Sequence, residues 1–175
     1  MDAHEKQQLL DSLEGGRAAL IAALDGVTED QARCVPEPGR WSVLECVEHL
    51  FLVENNLLER VMASQPSETP VGSRAREERI LQRGADRTNR FEAPEQARPI
   101  GRFPTLAQAL AAFLDKREQT IAYVRAASDD LRLRATTHPL IGAVNSYENL
   151  LIMSIHPHRH SHQIKEIRTA LATAR

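Results

Sequence analysis

Aromatic residues are scarce: four Phe, two Tyr and one Trp make up 4% of the 175 residues. A core without many large rings must be filled by Leu, Ile, Val and Ala, a palette that suits packed helices more than a β-sandwich. Cysteine is nearly absent too. Cys34 and Cys46 show no CxxC spacing, which excludes a disulfide framework and makes the cytoplasm the expected compartment. No apolar run approaches the ~20 residues of a membrane span, and the charged start MDAHEKQQLL lacks a signal peptide's apolar stretch. No membrane association is expected. Neither sign of charge dominates: 22 Lys and Arg against 24 Asp and Glu give a net charge of −2, so the electrostatic footprint of a nucleic-acid binder is missing. Internal repeats and low-complexity stretches are also missing. A chain of this length is expected to fold as one domain, residues 1–175, with a substantial core.

What is present is helical periodicity. Leu9, Leu10, Leu13, Leu20, Ile21 and Leu24 predict a first helix over Ala3–Leu24, ended by Asp25-Gly26. Gly15-Gly16 inside it costs about 1 kcal/mol per glycine relative to alanine. A locally weak helix is the expectation there, and close approach of a neighbouring backbone the alternative. Thr28 and Gln31 offer a capping box for a short turn, stopped by Pro36 and Pro38. Ser42 and Glu45 form a second box, with Trp41 placed to staple onto Cys46, and open a helix that runs to about Ala63.

Between Ser64 and Pro104 prolines and charges are dense and only Arg74–Arg83 looks helical. The arginines here (Arg74, Arg76, Arg79, Arg83, Arg87, Arg90) alternate with Glu77, Glu78, Asp86 and Glu92, which predicts a solvated mixed-charge face rather than an anion patch. Thr105 and Gln108 then open a helix ending near Ser128, and Asn145 and Glu148 open the last, which ends near Ala172. Four long amphipathic helices and no convincing strand predict an all-α four-helix bundle. A second link of about 40 residues can run back along a helix of about 33 Å, which allows helices two and three to be parallel, an up-down-down-up order with a long crossover between them.

The last helix carries four of the seven histidines, in HPHRHSHQI (His156–Ile164). At about 100° per residue, His156 and His160 fall within roughly 80° of the stripe formed by Ile164, Ile167 and Leu171. His158 and His162 fall on the far side and are expected to meet water. Two inward histidines four residues apart lie on one face and suit one metal ion. A pair of core histidines bonded to protein neighbours accounts for them equally well. Pro157 cannot donate to the carbonyl of Met153, so a kink is expected beside His156. His49 lies at the border of the second helix's apolar stripe, where a cavity-lining column and an ordinary surface boundary read alike.

Taken together, WSVLECVEHL (Trp41–Leu50), HPLIG (His138–Gly142) and HPHRHSHQI resemble the DinB/YfiT-like superfamily of metal-binding four-helix bundles, over nearly the whole chain. The resemblance implies an up-down-down-up bundle, frequent homodimers, and a divalent metal ion on His49, His156 and His160. Three neutral imidazoles leave coordination positions open, as in catalytic rather than structural zinc sites. Zn and Ni are the expected metals, although imidazole also suits Cu and Fe. Cys46 is a possible fourth ligand but more simply a small buried hydrophobe. Glu45 and Gln163 are candidates for orienting the ligands, and His138 is expected in a loop, with pocket lining as the alternative. The family includes thiol-dependent S-transferases and isomerases, so a metal-dependent transferase using a low-molecular-weight thiol and a small-molecule substrate is the leading expectation. A metal-hydroxide hydrolase and a non-catalytic metal or small-ligand binding protein of a stress response are the alternatives.

Overall fold

The computed structural model describes residues 1–69, 71–88 and 91–173. Its helices in chain order are α1 (Ala3–Leu24), α2 (Glu29–Arg33), α3 (Val43–Met62), α4 (Arg74–Arg83), α5 (Leu106–Ala126) and α6 (Ser146–Thr173). The long ones, α1, α3, α5 and α6, each pack on two of the others: α1 and α3 both contact α5 and α6. That ring of contacts is a four-helix bundle.

Reciprocal caps set the helix starts. Ser42 N donates to Glu45 Oε2 at 2.7 Å and Glu45 N donates back to Ser42 Oγ at 3.2 Å. Asn145 and Glu148 do the same at the head of α6, at 3.1 and 2.8 Å. At α5 the reciprocal partner is not Gln108. Thr105 Oγ accepts from Gln108 N, while the free N–H groups of Leu106 and Ala107 are taken by Glu29 of α2, at 2.8 and 3.2 Å.

The core falls into two apolar clusters, one around Leu20, Val47, Phe113 and Ile164, the other around Leu13, Leu57, Ile121 and Met153. Arg117 stands where they meet, fully buried. Its guanidinium lies 5.2 Å from the Phe113 ring centroid and makes a two-pronged pair with buried Glu54 at 2.8 Å on both prongs. Thr120 Oγ donates to the same carboxylate at 2.8 Å. Two further donors of Arg117 reach the carbonyls of Leu13 and Met153, each at 2.8 Å. The Met153 carbonyl is the one that Pro157 leaves without a donor, so a side chain from α5 supplies the bond that the helix itself lacks. With that bond made, α6 continues as one helix through Pro157.

Gly16 serves the same junction. A Cβ built there would lie 2.5 Å from the Ser154 carbonyl oxygen and 3.5 Å from the Pro157 ring. Close backbone approach, not a weak helix, explains this glycine. Gly15 next to it has room, its nearest neighbour being His158 Nε2 at 3.8 Å from the built Cβ.

The expectation of no strand is overturned. Three short strands, β1 (Gln65–Pro66), β2 (Arg134–His138) and β3 (Gly142–Asn145), form an antiparallel sheet in the order β1-β2-β3. His138 pairs with Gly142, so HPLIG is a hairpin turn whose Gly142 adopts φ +75°, the left-handed geometry that a three-residue hairpin loop requires. Thr136, Thr137 and Val144 supply β-branched residues, but strands of four or five residues give too short an alternation to stand out between long helices.

The charged segment around α4 also departs from a solvated face. Glu77 is buried and paired with Arg132 at 2.7 and 3.0 Å; Arg132 also reaches Glu5 at 3.1 Å. Arg76 holds both oxygens of fully buried Glu148 at 2.7 Å. These partners come from distant parts of the chain, which periodicity within one segment does not reveal. Arg90 lies outside the described residues. None of the described helices is long and apolar enough to cross a membrane.

Candidate metal centre

His49 comes from the second turn of α3, and His156 and His160 from successive turns of α6. Between α3 and α5 the chain returns to the site: Glu48 accepts from Ile100 N at 2.7 Å and from Arg102 N at 3.2 Å. This fastens the strip at residues 97–102 over α3 and presents the Ala97 carbonyl to His49. His49 Nδ1 donates to that carbonyl at 2.6 Å, which fixes the tautomer and leaves the Nε2 lone pair free on the other side.

Nε2 of His49 lies 3.3 Å from Nε2 of His156, and Nε2 of His160 lies 3.0 Å from the same atom. The candidate ligand atoms all fall within 4.8 Å of one another. A tetrahedral ion with bonds of about 2.0–2.1 Å spaces its ligand atoms about 3.3–3.4 Å apart, and two of the three nitrogen separations, 3.3 and 3.0 Å, lie close to that. Their protonation fits as well. Burial pushes His49 down to about 4. Burial, the neighbouring imidazoles and the cationic arginines hold His156 and His160 well below the usual histidine range. At neutral pH these are uncharged rings, with the Nε2 lone pair of His49 turned toward Nε2 of His156. Nδ1 of His160 is buried without a hydrogen-bond partner.

The pair on α6 keeps its alignment despite Pro157, for the reason given by Arg117. His158 is half-buried against α1, rather than in water as its position on the helical wheel implies, while His162 is exposed. Cys46 is fully buried in the apolar cluster, and burial drives its thiol far up; it is a core residue. Glu45 is spent on its cap. Gln163 lines the cavity and accepts from Arg87 at 2.9 Å.

The histidines open on a cavity of about 770 Å³ whose wall includes Trp41, Arg87, Phe91, His138, Ile152 and Arg159. Trp41, expected only as a staple, lies with its ring 4.8 Å from that of His49 and 6.3 Å from that of His160. Its place immediately before a cap whose helix carries a histidine was the available signal. His138, at the end of β2, lines the cavity instead of an outer loop. Its Nδ1 accepts from Leu140 N at 3.2 Å, which puts its proton on Nε2, and burial with nearby Arg60 lowers its pKa to about 4.

With this geometry in place, the comparisons with known proteins are informative. The uncharacterized protein YuaE of Bacillus subtilis (strain 168) is 23% identical over 151 residues, which span 86% of this chain and 91% of YuaE. A solved structure of Bacillus subtilis YfiT, described as a probable metal-dependent hydrolase with an unusual four-helix bundle topology, superposes with a TM-score of 0.63 at 18% identity. That match covers 98% of this chain and 90% of YfiT, and shows a shared fold. The model of the DinB superfamily matches residues 12–164, a stretch that holds α3, the hairpin and all three converging histidines, and the chain belongs to that superfamily.

Proposed function

We propose that this protein is a divalent-metal-dependent enzyme acting on a small molecule, with His49, His156 and His160 as the metal ligands. The observation that carries the reading is the convergence of three uncharged Nε2 atoms, at 3.0 and 3.3 Å, beside an open cavity. A divalent ion held there, Zn or Ni by preference, would supply a Lewis-acidic centre with positions open to a bound ligand, whose acidity it would raise.

Thiol-dependent S-transfer is the reaction type supported best. Among the described lining residues Glu92 is the sole carboxylate, and its side chain is 94% exposed, so no buried carboxylate stands ready to take a proton from water. His138 carries its proton on Nε2 and serves as a donor that orients, not as a base. A thiol with a pKa of about 8.5 needs far less help than water to lose its proton. Trp41 walls the histidines, and the Ala97 carbonyl holds the His49 ring in its ligand orientation. Hydrolysis is the second reading, favoured by the description of YfiT. A binding protein without turnover is the third.

The proposal extends to the architecture: one domain, an up-down-down-up bundle whose crossover is the segment between α3 and α5, and a cytoplasmic homodimer. Purified protein is expected to hold about one Zn or Ni ion per chain. Metal uptake by Co or Ni is expected to quench Trp41, and His160→Ala to weaken it more than ~100-fold while the helical circular dichroism persists. Absence of uptake by the wild type after reconstitution would sink the reading. Turnover of a thiol with an electrophilic acceptor, tested beside ester and amide hydrolysis, separates the transferase from the hydrolase, and silence in both assays leaves the binding protein.

A further inference from the structure

His138 belongs to the cavity but not to the group of converging histidines. It ends β2, an element apart from α3 and α6, and lines the same cavity as His49, His156 and His160. A charge on it would be felt by His156, so the ring stands within electrostatic reach of the three. The strand end that carries it is braced from two sides. Arg60 of α3 donates to Thr137 Oγ1 at 2.7 Å, and Nδ2 of buried Asn149 on α6 donates to the Thr137 carbonyl at 3.3 Å. His138 itself pairs with Gly142 across the hairpin. A side chain on so fixed a base is in place before a ligand arrives, which leaves little ordering entropy to lose.

The turn also fixes where the proton sits. Leu140 N donates to Nδ1 at 3.2 Å, so the proton lies on Nε2, at the outer end of the ring. No group among the described residues accepts from that Nε2–H. Burial and the positive charge of Arg60 lower the pKa to about 4, and the ring stays an uncharged donor near neutral pH. A histidine kept for the hairpin alone has done its work once Nδ1 holds its amide. Here the other end of the ring is a donor on a cavity wall. Charged acceptors are matched best by charged donors, whereas an uncharged N–H suits an uncharged oxygen.

We propose that His138 reads a carbonyl oxygen: the cavity takes a small carbonyl compound whose oxygen accepts from Nε2–H while its reacting end turns toward His49, His156 and His160. A molecule that covers this donor without offering an oxygen strips the N–H of water and returns nothing, and that is the source of the selection. The orientation toward the three histidines rests on the metal reading above; the preference for an oxygen rests on His138 alone.

Acetophenone and α-methylstyrene test it, because they share one shape and differ by C=O against C=CH2. Both are titrated into the full chain, metal-free and Zn-loaded, as wild type, His138→Leu and His138→Gln. Trp41, the one tryptophan and part of the cavity wall, reports binding by its fluorescence. The preference for acetophenone over α-methylstyrene is expected to fall about 10-fold in His138→Leu, and to recover in part in His138→Gln, which keeps a donor. The carbonyl stretching band of bound acetophenone is expected at lower frequency in the metal-free wild type than in metal-free His138→Leu. Histidine-selective NMR of the wild type needs no substitution: the Nε2–H signal of His138 is expected to move downfield with acetophenone and not with α-methylstyrene. A preference unchanged in His138→Leu, a carbonyl band at the same frequency in both, a stationary Nε2–H signal, or no binding of acetophenone at millimolar concentration overturns the proposal. If His138→Leu loses its helical circular dichroism, the wild-type NMR decides. A wild type that takes up no metal refutes the metal reading, and the carbonyl preference is then decided by the same measurements on the metal-free protein.

Discussion

Two buried polar clusters share the same stretch of α6, and they are built on opposite principles. Around Arg117 every strong partner is supplied by the protein: four hydrogen bonds reach Glu54 and the carbonyls of Leu13 and Met153. Around His156, one residue from Pro157, three imidazole nitrogens face one another at 3.0 and 3.3 Å, and Nδ1 of His160 is buried without a hydrogen-bond partner. The first cluster is closed and structural. The second is open, and its deficit is of the kind a cation removes. A buried charge or a buried histidine is therefore uninformative by itself in this bundle; whether the protein satisfies it decides what it is for.

The contrast can be broken most forcefully at the closed cluster. Arg117→Met is expected to cost about 3–5 kcal/mol, because Glu54 is left buried without its counter-charge and the Met153 carbonyl loses its only replacement donor. Urea denaturation measures this, and the double variant Arg117→Met/Glu54→Leu should recover much of the loss. A cost below 1 kcal/mol for the single variant would show that the hub is dispensable. The open cluster responds to acid instead. His49 has a folded-state pKa of about 4 against 6.5 for the ordinary side chain. Between those values the unfolded chain binds a proton that the folded one refuses. The stability of the metal-free protein is thus full above pH 6.5 and falls as the pH drops toward 4, by about 3 kcal/mol from this residue. Urea midpoints across that range should show the slope, and His49→Gln should reduce it by this residue's share, leaving that of His138, His156 and His160.

Gly16→Ala is expected to cost about 1–3 kcal/mol in thermal or urea unfolding, since the new methyl meets a backbone oxygen of α6 that cannot swing aside. His160→Leu sharpens the comparison from the other side: stability of the metal-free protein should stay within ~1 kcal/mol of the wild type or rise, as an unsatisfied polar ring gives way to an apolar one, while metal uptake is lost. A large destabilisation there would mean that the histidines are structural. The smallest effect is a gain. Gly15→Ala should stabilise by about 0.5–1 kcal/mol, since its Cβ has only an ordinary contact with His158.

Much of this was legible in the sequence. Caps and periodicity placed the long helices to within a few residues, because Ser42–Glu45 and Asn145–Glu148 are local signals. The same counting put His156 and His160 on the inner face of α6. Other features depend on partners far along the chain. Arg117 sits on the apolar line between Phe113 and Ile121, and Glu54 on that of α3 between Leu50 and Leu57. A charge on each of two apolar stripes was a readable sign of a buried pair, but which charges meet is settled by packing. Gly16 read as weakness because its reason, the Ser154 carbonyl, belongs to another helix. The hairpin was hidden by its brevity. The Ala97 carbonyl that orients His49 could not be read at all, since a backbone atom in an irregular segment leaves no mark in residue identity.

Glu48 and His49 are neighbours on α3, and their side chains leave the helix about 100° apart. Each grips the same returning strip, one by the amides of residues 100 and 102, the other by the carbonyl of Ala97. A ribbon clasped from two directions cannot swing like a flap. For the small molecule proposed above, entry is therefore expected on the side where Phe91 and Leu140 stand in solvent, leaving in place the histidine that the ribbon holds.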